Sequence, residues 1–587
     1  MSQKIPDVII ESNVPATMRD GAVLRADIYR PAVAGTFPVL LLRTPYAKSN
    51  MSLVFQTTMD PIKAAQAGYM VIIQDVRSRW ESDGDKFFPY RDEFDDGFDT
   101  VEWAASLPNS NGNVGMFGYS YYATTPWFAA VTQPPHLKAI FPFAAAMDFY
   151  QYRGGALDLS IMIAWTLLLL GPDGITKAKA GSPELIPELM SLFANIDRIE
   201  QVFRALPFQD IEAMKLGDTF APYFYETLAH PLYDDYHKQQ TVIDKHDRVR
   251  VPALIFTGWY DLLLQNDLLH FTRMRNEAAT PEARDNTRIV IGPWTHVGTT
   301  GAVGELNFGL GASTLLLELK TNLTEVHLEW FDYWLKGIRN NINDEPPVKI
   351  FVMGDNAWRG ENEWPLTRTR YTPMYIHSSG KANSLVGDGQ LSFEPPLDEP
   401  EDHFVFDPNN PVPTMGGNHI LPLYYHRGPV DQTILEQRFD VLVYSGDILE
   451  QDVEVTGPLS VKLFAASSAP DTDFTAKLVD VHPDGRAFNI ADGIIRARYR
   501  KGRAAEPSLI TPNSVVAYDI DLLATSIVFK KGHRIRIEIS SSNFPRWDRN
   551  PNTGELAHEA ETLTTAFQTV YHNSRYQTHI LLPLIPR

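Results

Sequence analysis

The chain has 587 residues, 44% hydrophobic and 21% charged, an ordinary globular composition with length enough for about two to four domains. Its formal net charge of −20 repels phosphate backbones and no basic stripe offsets it, which excludes nucleic acid as a partner. The absence of cysteine removes disulfides, thiolate nucleophiles and thiolate metal ligands together, so covalent chemistry falls to oxygen or nitrogen.

Residues 1–14 carry one lysine and no apolar core of signal-peptide length, and the run 167–170 is too short to span a bilayer. A cytoplasmic protein with no membrane partner is expected. Short aliphatic runs at 39–42, 71–73, 114–117 and 139–143 read as strands, separated by helix-like segments at 61–67, 94–107 and 121–131. Strand and helix in alternation predict a parallel sheet covered by helices on both faces. From about 148 to 245 the chain reads as helical, clearest at 157–170 and 187–203, with no convincing strand. Buried-strand runs then resume at 253–257 and 288–291. This pattern predicts a helical insertion between two strands of one α/β domain. Beyond about 356, alternating segments at 461–463, 474–481 and 534–539, punctuated by proline, predict a jelly-roll β-sandwich. The expected boundaries are α/β domain 1–145 and 242–357, helical cap 146–241, and jelly roll 358–587.

Residues 113–123 read NVGMFGYSYYA, an apolar strand running into glycine, serine and a helix. A serine hydroxyl is a poor nucleophile at neutral pH, and a sharp strand-to-helix turn lifts it clear of the backbone beside a base. Ser120 occupies that turn. Two further segments also follow predicted strands: Gly258, Trp259, Tyr260, Asp261, and Gly292, Pro293, Trp294, Thr295, His296. In open parallel sheets this edge is where sites are built, and Ser, Asp, His is the chain order of the α/β-hydrolase triad. His296 is then the general base and acid, Asp261 its orienter, and the Tyr121 amide one oxyanion donor. Singly each residue has a duller reading; jointly, three correct types in order at strand ends point to nucleophilic catalysis.

These segments resemble the CocE/NonD hydrolases, a family of cocaine esterases, α-amino acid ester hydrolases, glutaryl acylases and X-prolyl dipeptidyl peptidases. Further markers are Met18, Arg19, Asp20 and Gly21; Arg43, Thr44, Pro45 and Tyr46; Asp75, Arg77, Arg79, Ser82 and Gly84; and Gly154, Gly155 and Ala156 ahead of Trp165. The resemblance spans nearly the whole chain. It implies an α/β-hydrolase domain with a helical cap and a C-terminal jelly roll, and Tyr46 as second oxyanion donor. It also implies an acyl pocket lined by Trp165 and Leu263, favouring an apolar or aromatic acyl group. The family pattern Gly-x-Ser-Tyr-x-Gly ends here in Ala123, and Pro126 is expected to kink the helix behind the serine.

Asp158 could bind a substrate ammonium, but a solvated helix face explains it more simply. Asp548, Asn550, Asn552 and Glu559 match calcium-loop spacing, yet Thr553 replaces the required glycine and Pro551 interrupts, so a β-sandwich loop is the reading. Asp95, Asp96 and Asp99 read as first-turn acids complementing a helix dipole. The expectation is a serine carboxylic ester hydrolase acting through an acyl-enzyme on small-molecule esters, with no cofactor and no metal. The alternatives are an amide-cleaving acylase or peptidase, an acyltransferase using the same triad, and a catalytically dead binding protein. The oligomeric state is open, a homodimer included.

Overall fold

The computed structural model describes residues 6–215 and 221–586. The N-terminal half is built on β1 (Val8–Thr17), β2 (Val23–Pro31), β3 (Phe37–Thr44), β4 (Met70–Asp75), β5 (Ser110–Tyr119) and β6 (Leu137–Phe143). Helices α1 (Met51–Thr57), α2 (Pro61–Gln66), α3 (Glu93–Ser106) and α4 (Tyr121–Val131) intervene. A two-residue hairpin, β7 (Tyr152–Arg153) and β8 (Ala156–Leu157), opens the cap, and the sheet resumes with β9 (Leu254–Tyr260) and β10 (Arg288–Thr295). The ten-stranded sheet runs β1-β2-β4-β3-β5-β6-β9-β10 and ends in Val348–Val352 and Ala357–Glu361. From β4 to Val348–Val352 all neighbours are parallel. The strands β3, β4, β6 and β9 are buried along nearly their whole length, so they read as continuous apolar runs rather than alternating ones. The last strand of this sheet extends to Glu361, past the boundary expected at 357.

Three expectations for the cap need correction. It does contain strand, the β7–β8 hairpin, and the apolar run expected as helix 157–170 is a π-helical stretch, Ser160–Leu170. With the following turns it forms an apolar helix of 19 residues, Ser160–Ala178, long enough to cross a membrane; 56% of that stretch is buried inside the molecule. The helix expected at 187–203 is two, Leu185–Asp197 and Ile199–Arg204.

Residues beyond 370 form an eleven-stranded, almost wholly antiparallel β-domain, in the place expected for the jelly roll. Its longest pair, Val453–Ser467 with Val516–Phe529, alternates buried and part-exposed residues over much of its length, as a half-buried sheet requires. The calcium-like loop belongs to this domain, and its first part, Asp548 to Asn552, is a buried polar network. Asp548 accepts from Arg496 and from the Leu157 amide, while Asn550 donates to Asp471 and Asp473.

Candidate active site

Ser120 sits at φ 58°, ψ −127° between β5 and α4, a strained conformation for a residue with a Cβ. The turn is close: a Cβ on Gly118 would lie 1.8 Å from the Tyr122 carbonyl oxygen, so only glycine fits there. The Ser120 amide donates to the Phe143 carbonyl at 2.9 Å, fixing the turn to β6.

β9 and β10 deliver the partners. His296 Nε2 lies 2.8 Å from Ser120 Oγ, and its Nδ1 lies 3.0 Å from both carboxylate oxygens of Asp261. Asp261 is 1% exposed and His296 6% exposed, so the chain of three is shielded from water except at the serine. The carboxylate also accepts the Leu263 amide at 2.8 Å. The Tyr119 hydroxyl donates to the His296 carbonyl, and Asn418 of the β-domain donates to the Asp261 carbonyl at 3.4 Å. Neither contact is legible in the sequence, because Asn418 is 157 residues from its partner and Tyr119 reads as strand core.

Tyr46 lines the same cavity as Ser120, and its hydroxyl interacts with the serine. The Trp165 indole N–H donates to the Tyr46 oxygen at 2.8 Å. Burial, opposed by Trp165, the Arg79 charge and Ser120, pushes the Tyr46 hydroxyl up to about 12. It therefore keeps its proton at neutral pH and can donate it. The preceding carbonyl, of Pro45, is held by two donors, Arg79 Nε and Trp80 Nε1, each at 3.0 Å. Tyr121 is the first residue of α4, so its amide has no acceptor within the helix and points out of the N-terminus. Its ring is engaged as well: the hydroxyl donates to Glu93 at 3.1 Å and accepts the Tyr90 amide at 3.1 Å.

Tyr46, Ser120, Tyr121, Trp165, Leu263 and His296 all line one cavity of about 470 Å³, and Asp261 lies directly behind His296. Phe149 and Ile161 extend the apolar wall beside Trp165. Asp158 is not on a solvated helix face. It lines the same cavity and caps the π-helical stretch, its Oδ1 accepting the Ser160 and Ile161 amides and the Ser160 hydroxyl. Pro126 does not break α4, which runs unbroken from Tyr121 to Val131. The Tyr122 carbonyl, deprived of its donor by the proline, accepts the Thr125 hydroxyl at 3.3 Å instead.

The marker residues upstream form an ionic scaffold, buried around Arg43 and reaching the surface at Arg19. Arg43 pairs with Glu93 and donates to Gln74, Arg77 pairs with Asp96 and Asp20, and Arg19 pairs with Asp95 and Asp99. The acids at the start of α3 are therefore ion-pair partners, beyond any effect on the helix dipole.

Comparison with known proteins places the chain among hydrolases. Residues 20–298 match the X-Pro dipeptidyl-peptidase (S15) family and residues 340–581 the X-Pro dipeptidyl-peptidase C-terminal non-catalytic domain. The chain is 38% identical to cocaine esterase of Rhodococcus sp. (strain MB1 Bresler), covering 98% of this chain and 99% of that one. Among solved structures, it superposes on an α-amino acid ester hydrolase with a TM-score of 0.79 at 25% identity, covering 100% of this chain and 98% of that one. An aminopeptidase from the marine sediment archaeon Thaumarchaeota archaeon gives 0.80 at 25% identity, covering 99% and 97%.

Proposed function

Because this chain belongs to the CocE/NonD family of serine hydrolases, we propose that Ser120, His296 and Asp261 hydrolyse small carboxylic esters with apolar or aromatic acyl groups through an acyl-enzyme. The observation that carries the reading is the unbroken line from Ser120 Oγ through both nitrogens of His296 to Asp261, opening on a cavity to which Trp165, Phe149, Ile161 and Leu263 give apolar surface.

His296 Nε2 takes the serine proton as Oγ attacks the ester carbonyl. Asp261 holds Nδ1–H, which fixes the tautomer and stabilises the imidazolium. The carbonyl oxygen, now negative, receives the Tyr46 hydroxyl and the Tyr121 amide. The tetrahedral species collapses, His296 gives its proton to the leaving alkoxide, and the acyl group stays on Ser120. Water, deprotonated by the same histidine, then releases the acid. Trp165, Leu263, Phe149 and Ile161 present apolar surface to the acyl group, which favours apolar or aromatic acids.

The test joins a mechanism-based label to a matched substrate panel. A fluorophosphonate should label the protein once, at Ser120, and S120A should neither react with it nor turn over aryl esters while keeping its fold. Benzoyl and acetyl aryl esters should be cleaved faster than the corresponding anilides, with acid rather than ester or amide as product even when an alcohol or amine is added. Retained turnover in S120A would remove the triad reading. Faster anilide cleavage would make the protein an amidase of the same family.

A further inference from the structure

The β-domain holds a group of chemistry-bearing side chains that the Ser120 site does not use. Asp480 lies near the end of strand Asp473–Val481, His482 follows it at the start of a turn, and His533 immediately precedes strand Arg534–Ser540. These two strands are antiparallel neighbours, with Asp480 opposite Ile535 and Val481 opposite Arg534, which brings the two histidines together at one end of the sheet. His533 Nδ1 is 2.9 Å from Asp480 Oδ1, and His482 Nε2 is 3.4 Å from Asp480 Oδ2. The two imidazole centroids are 4.3 Å apart. One ligand atom from each residue lies within 4.8 Å of the other two.

Hydrogen bonding accounts for only one of these contacts. His533 and Asp480 form a complete hydrogen bond, whereas the His482 ring faces the second carboxylate oxygen from too far to share a proton well. The nearby cations are committed elsewhere: Arg486 to Asp484 at 2.8 Å, and Arg534 to the Gly446 carbonyl at 2.9 Å. The backbone is well fixed, since His482 donates to Arg486 and accepts from Gly485, and the His533 carbonyl accepts the Leu449 amide.

Two imidazoles and one carboxylate are the donor set that zinc and its neighbours bind, with no thiolate to favour soft ions and too few oxygens for calcium. A tetrahedral zinc ion with bonds of about 2.0–2.1 Å spaces its ligand atoms roughly 3.3–3.4 Å apart; the His482 to Asp480 separation of 3.4 Å has that spacing, and the 2.9 Å His533 to Asp480 hydrogen bond would lengthen to admit the ion. We propose that Asp480, His482 and His533 form a site for one divalent transition-metal ion of the zinc type, with water completing the coordination. The ion would fasten the turn after Asp473–Val481 to the start of Arg534–Ser540. None of the three residues lines the Ser120 cavity, so the site is independent of ester cleavage.

Full-length protein stripped with a chelator tests this directly. Titration with Zn²⁺ by calorimetry should show one equivalent bound, and Co²⁺ should give visible absorption bands of tetrahedral intensity. H482A and H533A should each weaken binding at least about tenfold, and added Zn²⁺ should raise the melting temperature of the wild type but not of either variant. Should H533A not fold, H482Q, altered at the more exposed position, decides alone. Absence of one-to-one binding to the wild type overturns the proposal, as does binding that the variants leave unchanged. Aryl-ester turnover should be the same with and without the ion.

Discussion

Tyr46 shows how one hydrogen bond sets the direction of another. A tyrosine hydroxyl has a single proton to give, and because the Trp165 N–H already satisfies its oxygen, that proton is free for a developing oxyanion. Y46F should lower kcat by roughly 10²-fold or more, measured on an aryl ester, with little change in KM. W165F keeps the apolar wall but removes the donor, and about a two- to tenfold loss in kcat is expected. An equal loss confined to KM would reduce Trp165 to a pocket wall. Ser120, Asp261 and His296 were legible from sequence because each ends a strand and the three types come in hydrolase order. The Trp165 contact was not, since 119 residues separate it from Tyr46. The sequence also led to an incomplete view of Tyr121, whose ring bridges Glu93 and Tyr90 as well as its amide facing the cavity. Y121F should therefore keep most of the turnover, the amide being unchanged, yet lower stability by about 1 kcal/mol in urea denaturation.

Among the elements, α4 is held by its approach to β5 rather than by its helix propensity. Ala123 and Pro126 are both fully accommodated, and the position that admits no substitution is Gly118. The helix Leu323–Lys336 shows a different constraint. Its His327 stacks on Phe141 at 3.7 Å and donates Nδ1–H to the Leu323 carbonyl at 2.8 Å, and burial pushes the imidazole down to about 3. The folded ring stays neutral while the unfolded one takes a proton below about 6.5. Its contribution is thus complete above that pH and is lost as the pH falls toward 3. The stability difference between wild type and H327F should shrink by up to about 1.4 kcal/mol per unit between roughly pH 6.5 and 4, read from urea midpoints at a series of pH values. A constant difference would mean that His327 titrates normally. The buried parallel strands were legible because they are short aliphatic runs. β1 was not: it is an edge strand with nine of its ten residues at least partly exposed, and it has no apolar face to give it a period. The π-helical register of Ser160–Leu170 was equally hidden, because a segment apolar on nearly every side carries no angular signal.

At the scale of the whole molecule, the β-domain completes the site rather than merely following it. Ile494, Tyr499 and Arg503 reach into the cavity that holds Ser120, and the β7–β8 hairpin is pressed so closely on the domain that a Cβ on Gly154 would lie 2.0 Å from the Ile494 carbonyl oxygen. Sequence could place a hydrolase domain, a cap and a β-domain in order, but which side chains of the last face the serine depends on contacts across hundreds of residues. Arg503 makes the coupling measurable. Its guanidinium pairs with Asp148 at 2.8 Å and lies over the rings of Tyr150 and Tyr233, 4.7 and 3.8 Å from their centroids. Asp148 is 8% exposed, so removing the cation strands a nearly buried carboxylate. R503M should cost about 1–2 kcal/mol, toward the low end for such pairs because the guanidinium is partly in water. D148N together with R503M should recover a large part of that loss, since no unpaired charge remains. The double-mutant cycle in urea gives this coupling, and kcat/KM for an aryl ester should fall with R503M and return in part with the second change. Additive effects on stability would mean that the pair is solvated in solution and contributes nothing to joining the two domains.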